Sequence, residues 1–160
     1  MHIYFPDKPD VSIPEDGIAL VTPVYNEFLR LPYFIEFHKR LGVTHFFIID
    51  NNSTDETRHY CQSVSNCYYF YTDTSYNITH SGREWIEEIC NYYCNDRWVL
   101  TLDADELFIF PGHELCDLRF LTKYLDNYEY KIITTAFIDF YSDRTLSETT
   151  YSRGENFLKV

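Results

Sequence analysis

The chain has 160 residues, 45% of them hydrophobic and 19% aromatic, and a formal net charge of −12 at pH 7. That length suits one domain with a sizeable buried core, and the acidic balance repels nucleic acid and anionic membrane surfaces at long range. No stretch approaches the roughly 18 apolar residues of a membrane span, so no transmembrane segment and no nucleic-acid partner are expected.

In chain order, residues 1–17 form an irregular, Pro-containing leader, and 18–160 are expected to be one folded unit. Gly17-Ile-Ala-Leu-Val21 is a short apolar run stopped by Thr22-Pro23, a first buried strand. Pro32 suits a first helical residue and Gly42 a helix end, and Phe34, Ile35, His38 and Leu41 share one face between them. Val43 to Ile49 predicts a second strand covered on both faces. Ser53 with Glu56, and later Ser81 with Glu84, have capping-box spacing and predict helix starts. Cys67 to Tyr71 predicts a third strand. The stripe Trp85, Ile86, Ile89, Cys90 and Tyr93 predicts the helix after it, and Arg97 to Leu102 a fourth strand. His113 to Tyr128 predicts a helix and Lys131 to Tyr141 a long β-branched and aromatic strand. Strands alternating with helices give an α/β fold with a mainly parallel sheet.

The start of the chain lacks a charged-then-apolar signal pattern. The five cysteines are odd in number without a CxxC pair, and reduced thiols in a cytoplasmic protein are expected. Without a secretion signal, the N-x-Ser/Thr triplets at Asn51, Asn52 and Asn77 read as chance matches.

The most telling stretch is Trp98-Val-Leu-Thr-Leu-Asp103-Ala-Asp105-Glu106-Leu-Phe108. An apolar strand delivers two carboxylates one residue apart at its end. Strand alternation aims Asp103 and Asp105 the same way and Ala104 into the protein. Paired like charges repel, a cost that a bound cation removes; oxygen ligands of this kind suit Mg²⁺ or Mn²⁺ bridging to phosphate oxygens. Parallel sheets bind ligands at the carboxyl ends of their strands, and polar residues collect at those ends here. Strand one ends in Thr22-Pro-Val-Tyr25-Asn26-Glu27 and strand two in Asp50-Asn51-Asn52-Ser53. Turn chemistry accounts for Asn51, Asn52 and Ser53, but poorly for Asp50, Glu27 and the Asp103/Asp105 pair.

Three ordered blocks carry a resemblance: Val21 to Glu27, Leu41 to Asp55 (LGVTHFFIIDNNSTD) and Trp98 to Phe108. Together they are similar to the family 2-like glycosyltransferases, most of all the family 92-like subgroup, over about residues 18 to 145. The resemblance implies a GT-A fold, a nucleotide-diphospho-sugar donor with UDP-sugar favoured, a saccharide or glycoconjugate acceptor, and Mn²⁺ or Mg²⁺ held by the D-x-D. Residue by residue it implies Thr22, Pro23, Tyr25 and Glu27 against the nucleoside and Asp50 on the base or ribose. Asp103 then stands on the ribose or metal side, and Asp105 ligates the metal directly. Arg83 is the candidate diphosphate contact. Family members continue well past the D-x-D into an acceptor-binding segment that supplies the catalytic base, so that part is expected to be short or missing here, as in a C-terminally truncated domain. Asp139 and Glu106 are the candidate catalytic carboxylates, with Asp143, Glu148 and Glu155 the other downstream acids.

The functional expectation is a metal-dependent, inverting glycosyltransferase; the alternative is a nucleotide-sugar-binding domain without turnover. A haloacid-dehalogenase-like phosphatase also uses an apolar strand ending in D-x-D, but wants Thr or Val where Leu107 stands. A dinucleotide oxidoreductase lacks its G-x-G-x-x-G after strand one.

Overall fold

Among the described residues, four strands and four helices alternate strictly: β1 (Ile18–Val24), α1 (Leu31–Leu41), β2 (His45–Asp50), α2 (Thr57–Ser63), β3 (Cys67–Tyr71), α3 (Arg83–Tyr93), β4 (Trp98–Thr101) and α4 (Leu118–Asn127). The computed structural model describes residues 4, 5, 7–140, 145, 147–156 and 158. The strands form one sheet of order β3-β2-β1-β4, with every pairing parallel. In register, Val24 stands beside Asp50, and Val21 beside Thr101.

Strand alternation divides the core in two. Ile18, Leu20 and Val24 of β1 with Phe46 and Ile48 of β2 face Leu31, Phe34 and Ile35 of α1, Cys61 of α2 and Leu118 of α4. Ala19, Val21, Phe47 and Ile49 face the other way, against Trp85, Ile89 and Tyr93 of α3 and against Phe5 and Ile13. Because β1 and β2 are covered on both faces, their sequences are almost unbroken apolar runs. The described residues before β1 are held by α3: Lys8 and the Tyr4 and Phe5 amides bond Glu88, and the Tyr93 hydroxyl donates to Pro9 O.

α1 ends on Gly42, whose φ of 114° a residue with a Cβ adopts only under strain, and the amides of Gly42 and Val43 return to the carbonyls of Lys39 and His38.

Several sequence expectations need correction. β1 does not stop at Thr22-Pro23 but runs to Val24. The β4 ladder ends at Val21, so Pro23 lies on a stretch of β1 paired on one side only, where a missing N–H is tolerated. Neither capping box forms. α2 starts at Thr57, and the Ser53 hydroxyl instead accepts the Asn26 N–H at 2.8 Å. α3 is capped by Gly82 with no side-chain bond, and Glu84 turns to His80 and to the Tyr4 hydroxyl. α4 begins at Leu118 rather than His113, because turns on Phe110 and Gly112 carry the chain to Asp117, whose carboxylate caps Phe120 N–H at 3.1 Å. Residues 131–140 form no strand and are exposed throughout; Tyr141 lies outside the described residues. β propensity orders a segment only against a partner ladder, and here none is paired with it.

Candidate functional site

The acidic block sits beyond the end of β4, on a turn closed by Glu106 N–H donating to Asp103 O at 3.0 Å. Ala104 is buried at the turn's base, as expected, while Asp103 and Asp105 are exposed. The turn, rather than strand alternation, gathers the carboxylates. It also adds a third, since oxygens of Asp103, Asp105 and Glu106 all lie within 4.8 Å of one another. The Asp103 N–H donates to Glu106 Oε2 at 3.0 Å, which holds Glu106 against the turn. Burial, with the Asp105 charge adding to it, pushes the Asp103 carboxyl above its ordinary value. Burial likewise raises Glu106, with Asp103 and Asp105 adding and the Asp103 amide opposing.

The turn forms one wall of a cleft of about 350 Å³. The opposite wall is the end of β1, with Pro23, Val24, Tyr25 and Glu27, and Asn51 and Tyr76 close the cleft between them. Burial and the Asp103 charge raise the Tyr76 hydroxyl above its ordinary range. A broader depression of about 450 Å³ between Arg40 and residues 113–120 contains none of the predicted site residues. The acidic turn lies on the smaller cleft.

The β1–α1 loop is stitched to the β2–α2 loop. Asn26, at φ 56°, accepts the amides of Thr54 at 2.8 Å and Asp55 at 3.3 Å on its side-chain oxygen. Glu27 N–H donates to Thr57 Oγ1, and Phe28 N–H to Asp55 Oδ2. Ser53, Thr54, Asp55 and Thr57 thus brace the loop that carries Tyr25 and Glu27.

Of the predicted residues, the structure brings Pro23, Tyr25, Glu27, Asp103 and Asp105 together on the cleft, with Glu106 in the carboxylate cluster. Thr22 is wholly buried, its hydroxyl bonded to Pro23 O. Asp50 is also buried: Oδ1 accepts Ser53 N–H at 2.8 Å and Oδ2 the Tyr69 hydroxyl at 2.7 Å. These two stand behind the cleft wall. Arg83 opens α3 on its exposed face, paired with Glu87 at 3.0 Å, and does not line the cleft. Asp139 lies in the exposed 131–140 segment and does not line it either, and Asp143 is outside the described residues.

The family model described as glycosyl transferase family 2 matches residues 19–157. The chain belongs to this family. Its all-parallel sheet with flanking helices is the GT-A-type α/β arrangement that the resemblance implied. Among curated relatives, a glycosyltransferase family 92 protein of Arabidopsis thaliana is 30% identical over 104 residues, 60% of this chain and 17% of that protein. One of Oryza sativa subsp. japonica is 29% identical over 123 residues, 72% of this chain and 19% of its own length. One of Ricinus communis is 28% identical over 109 residues, 63% and 18% respectively. The chain thus spans about a fifth of the length of the curated relatives it matches.

The donor set fits a hard divalent cation of the kind this family uses: three carboxylates, no nitrogen or sulfur, at the mouth of a cleft. Among the described residues, no helix is long and apolar enough to cross a membrane.

Three polar residues here were not foreseen as site residues, the first being Asn51, which was read as a turn residue and lines the cleft. Tyr76 stands in an irregular segment with no periodic signal. Arg30 grips Glu27 through Nε and Nη2, both at 2.8 Å, and reaches Asp105 Oδ2 with Nη1 at 3.6 Å. Its spacing of three from Glu27 was the available hint.

Proposed function

We propose that the cleft binds a nucleotide-diphospho-sugar, UDP-sugar favoured, with Mn²⁺ or Mg²⁺ held by Asp103 and Asp105, and that the protein transfers the sugar with inversion to a saccharide or glycoconjugate. One observation carries this reading: a three-carboxylate turn facing the end of β1 across a cleft, in a chain of glycosyl transferase family 2. Pro23 and the exposed Tyr25 offer flat surfaces to the nucleoside, while Thr22 and Asp50 support that wall from behind. When bound, the cation supplies charge neutralisation for a departing nucleoside diphosphate. Asp103 and Asp105 hold it, and the base of the turn, Ala104, is shut off from water.

Removing the acceptor's proton calls for a carboxylate on the far side of the sugar. Glu106 is adjacent to the metal set and Asp139 does not line the cleft, which favours a second reading, donor binding without turnover by these 160 residues. A thermal-shift series tests the donor site. UDP should raise the melting temperature with Mn²⁺ and far less with a chelator, and Asp105→Asn should remove the metal-dependent part. Equal UDP stabilisation of wild type and D105N in chelator and in Mn²⁺ would sink the reading.

A further inference from the structure

Three carboxylates line this cleft, Glu27 on one wall and Asp103 and Asp105 on the other, and Glu106 clusters with the latter two. Among the described residues, a single cation is paired with both walls. Arg30, at the N-terminal boundary of α1, spends Nε and Nη2 on the two oxygens of Glu27, a fork that fixes the guanidinium plane. Nη1 alone is left to point across the cleft, where it meets Asp105 Oδ2 at 3.6 Å. That separation is an ion pair and too long for a good hydrogen bond, so Nη1 keeps donors for another acceptor. The backbone holds the arginine in place from both sides. Its own amide and that of Leu31 donate to Glu27 O, and Gly154 N–H donates to the neighbouring Leu29 O at 3.0 Å.

We infer that Arg30 is a positioning residue with two partners in turn: it neutralises Asp105 while the acidic turn holds no cation, and it offers Nη1 to a diphosphate oxygen of the donor once a divalent ion has taken Asp105. This rests on the reading of the cleft as a donor site. The charges favour the exchange. A divalent ion on Asp105 repels a neighbouring guanidinium, whereas a diphosphate carried in with that ion attracts it. Glu27 keeps the guanidinium near the cleft mouth throughout, so the side chain needs only a small swing.

The inference makes two opposed expectations for one substitution. Removing the positive charge beside the ion site should tighten Mn²⁺ binding in the absence of nucleotide, roughly 3- to 30-fold. The same change should weaken UDP binding at saturating Mn²⁺, also about 3- to 30-fold, as expected for a lost charge-assisted bond. The test uses the 160-residue protein, with free Mn²⁺ counted by electron paramagnetic resonance and UDP binding measured by calorimetry. Variants are Arg30→Gln and Arg30→Lys. R30Q should bind Mn²⁺ tighter and UDP weaker. R30K, which keeps the charge but not the planar fork, should hold Mn²⁺ as wild type does and still lose UDP affinity. Parallel weakening of both ligands in R30Q, or no change in either, would overturn the inference while leaving the donor site standing if D105N loses Mn²⁺. Wild-type protein that takes up no Mn²⁺ would overturn both.

Discussion

His38 Nε2 accepts the backbone N–H of Phe108 at 3.3 Å, joining the middle of α1 to the chain three residues past Asp105. The other ring nitrogen, Nδ1, faces Phe34 O at 2.9 Å, and because a carbonyl only accepts, Nδ1 carries the proton. The imidazole is wholly buried and neutral, packed between Phe34 and Phe37. It anchors the segment that leaves the acidic turn.

A pH dependence follows. Burial holds the folded imidazole down at about 4, against 6.5 in the unfolded chain, with the Phe34 carbonyl partly opposing. Between those values the unfolded state binds the extra proton. His38 therefore contributes its full stability above pH 6.5 and loses it as pH falls towards 4, by up to about 3 kcal/mol. Chemical denaturation of wild type and His38→Gln at intervals from pH 7.5 to 4 should show a shallower loss in the variant. Identical slopes would mean that other groups carry the acid sensitivity.

Asp103 should display a conflict between stability and ligand binding. Its carboxyl is raised by burial and by Asp105, so the folded state disfavours its charge. Without metal, Asp103→Asn should melt no lower than wild type, with a gain of about 0.5 kcal/mol after solvent screening. With Mn²⁺, wild type should gain stability with concentration, by about 2.7 kcal/mol at a hundred times the dissociation constant. The variant should gain little. Differential scanning fluorimetry with and without Mn²⁺ reads both, and an apo D103N that melts well below wild type contradicts the repulsion argument.

Asp50 is expected to act on the fold before it acts on any ligand. Both oxygens have internal partners, Ser53 N–H and the Tyr69 hydroxyl, and the side chain is 1% exposed. Asp50→Ala should cost about 1–3 kcal/mol in all, since the two donors left unpaired are only partly buried. Urea unfolding should show this in nucleotide-free protein. A variant as stable as wild type but with weakened UDP binding would instead put Asp50 in contact with the donor.

Asn26 offers a test of loop bracing. It holds φ 56°, a region that asparagine tolerates better than most residues, and its side-chain oxygen gathers the Thr54 and Asp55 amides. Asn26→Ala loses the acceptor and strains the backbone, for a cost of about 1–3 kcal/mol. Hydrogen exchange should quicken at Thr54 and Asp55 and leave Phe47 in the middle of β2 protected. Unchanged exchange at Thr54 and Asp55 would show that other contacts hold the two loops together.

Four of the five predicted strands and the D-x-D-E block were legible in the residues alone, although the block was read as a strand end and is a turn. His45 to Ile49 is apolar or aromatic at every position, which only a strand covered on both faces can use, and its parallel pairing with β1 follows from the helix between them. The D-x-D-E block and its apolar approach were equally plain, because their chemistry resides in residue types and short spacing. The sequence overreached where local preference stood alone. Residues 131–140 have strand composition but no ladder to join, and Ser53, with capping-box spacing, went to Asn26 across the loop gap. Tertiary structure alone decided which polar groups face the cleft. Alternation along β1 and β2 turns Thr22 and Asp50 inward, while the turn after β4 swings Glu106 round to Asp103 and Asp105. The contacts of Arg30 with Asp105 and of His38 with Phe108 join residues some seventy positions apart. No periodicity or local spacing encodes such pairs, because they exist only once the sheet has set α1 beside the acidic turn.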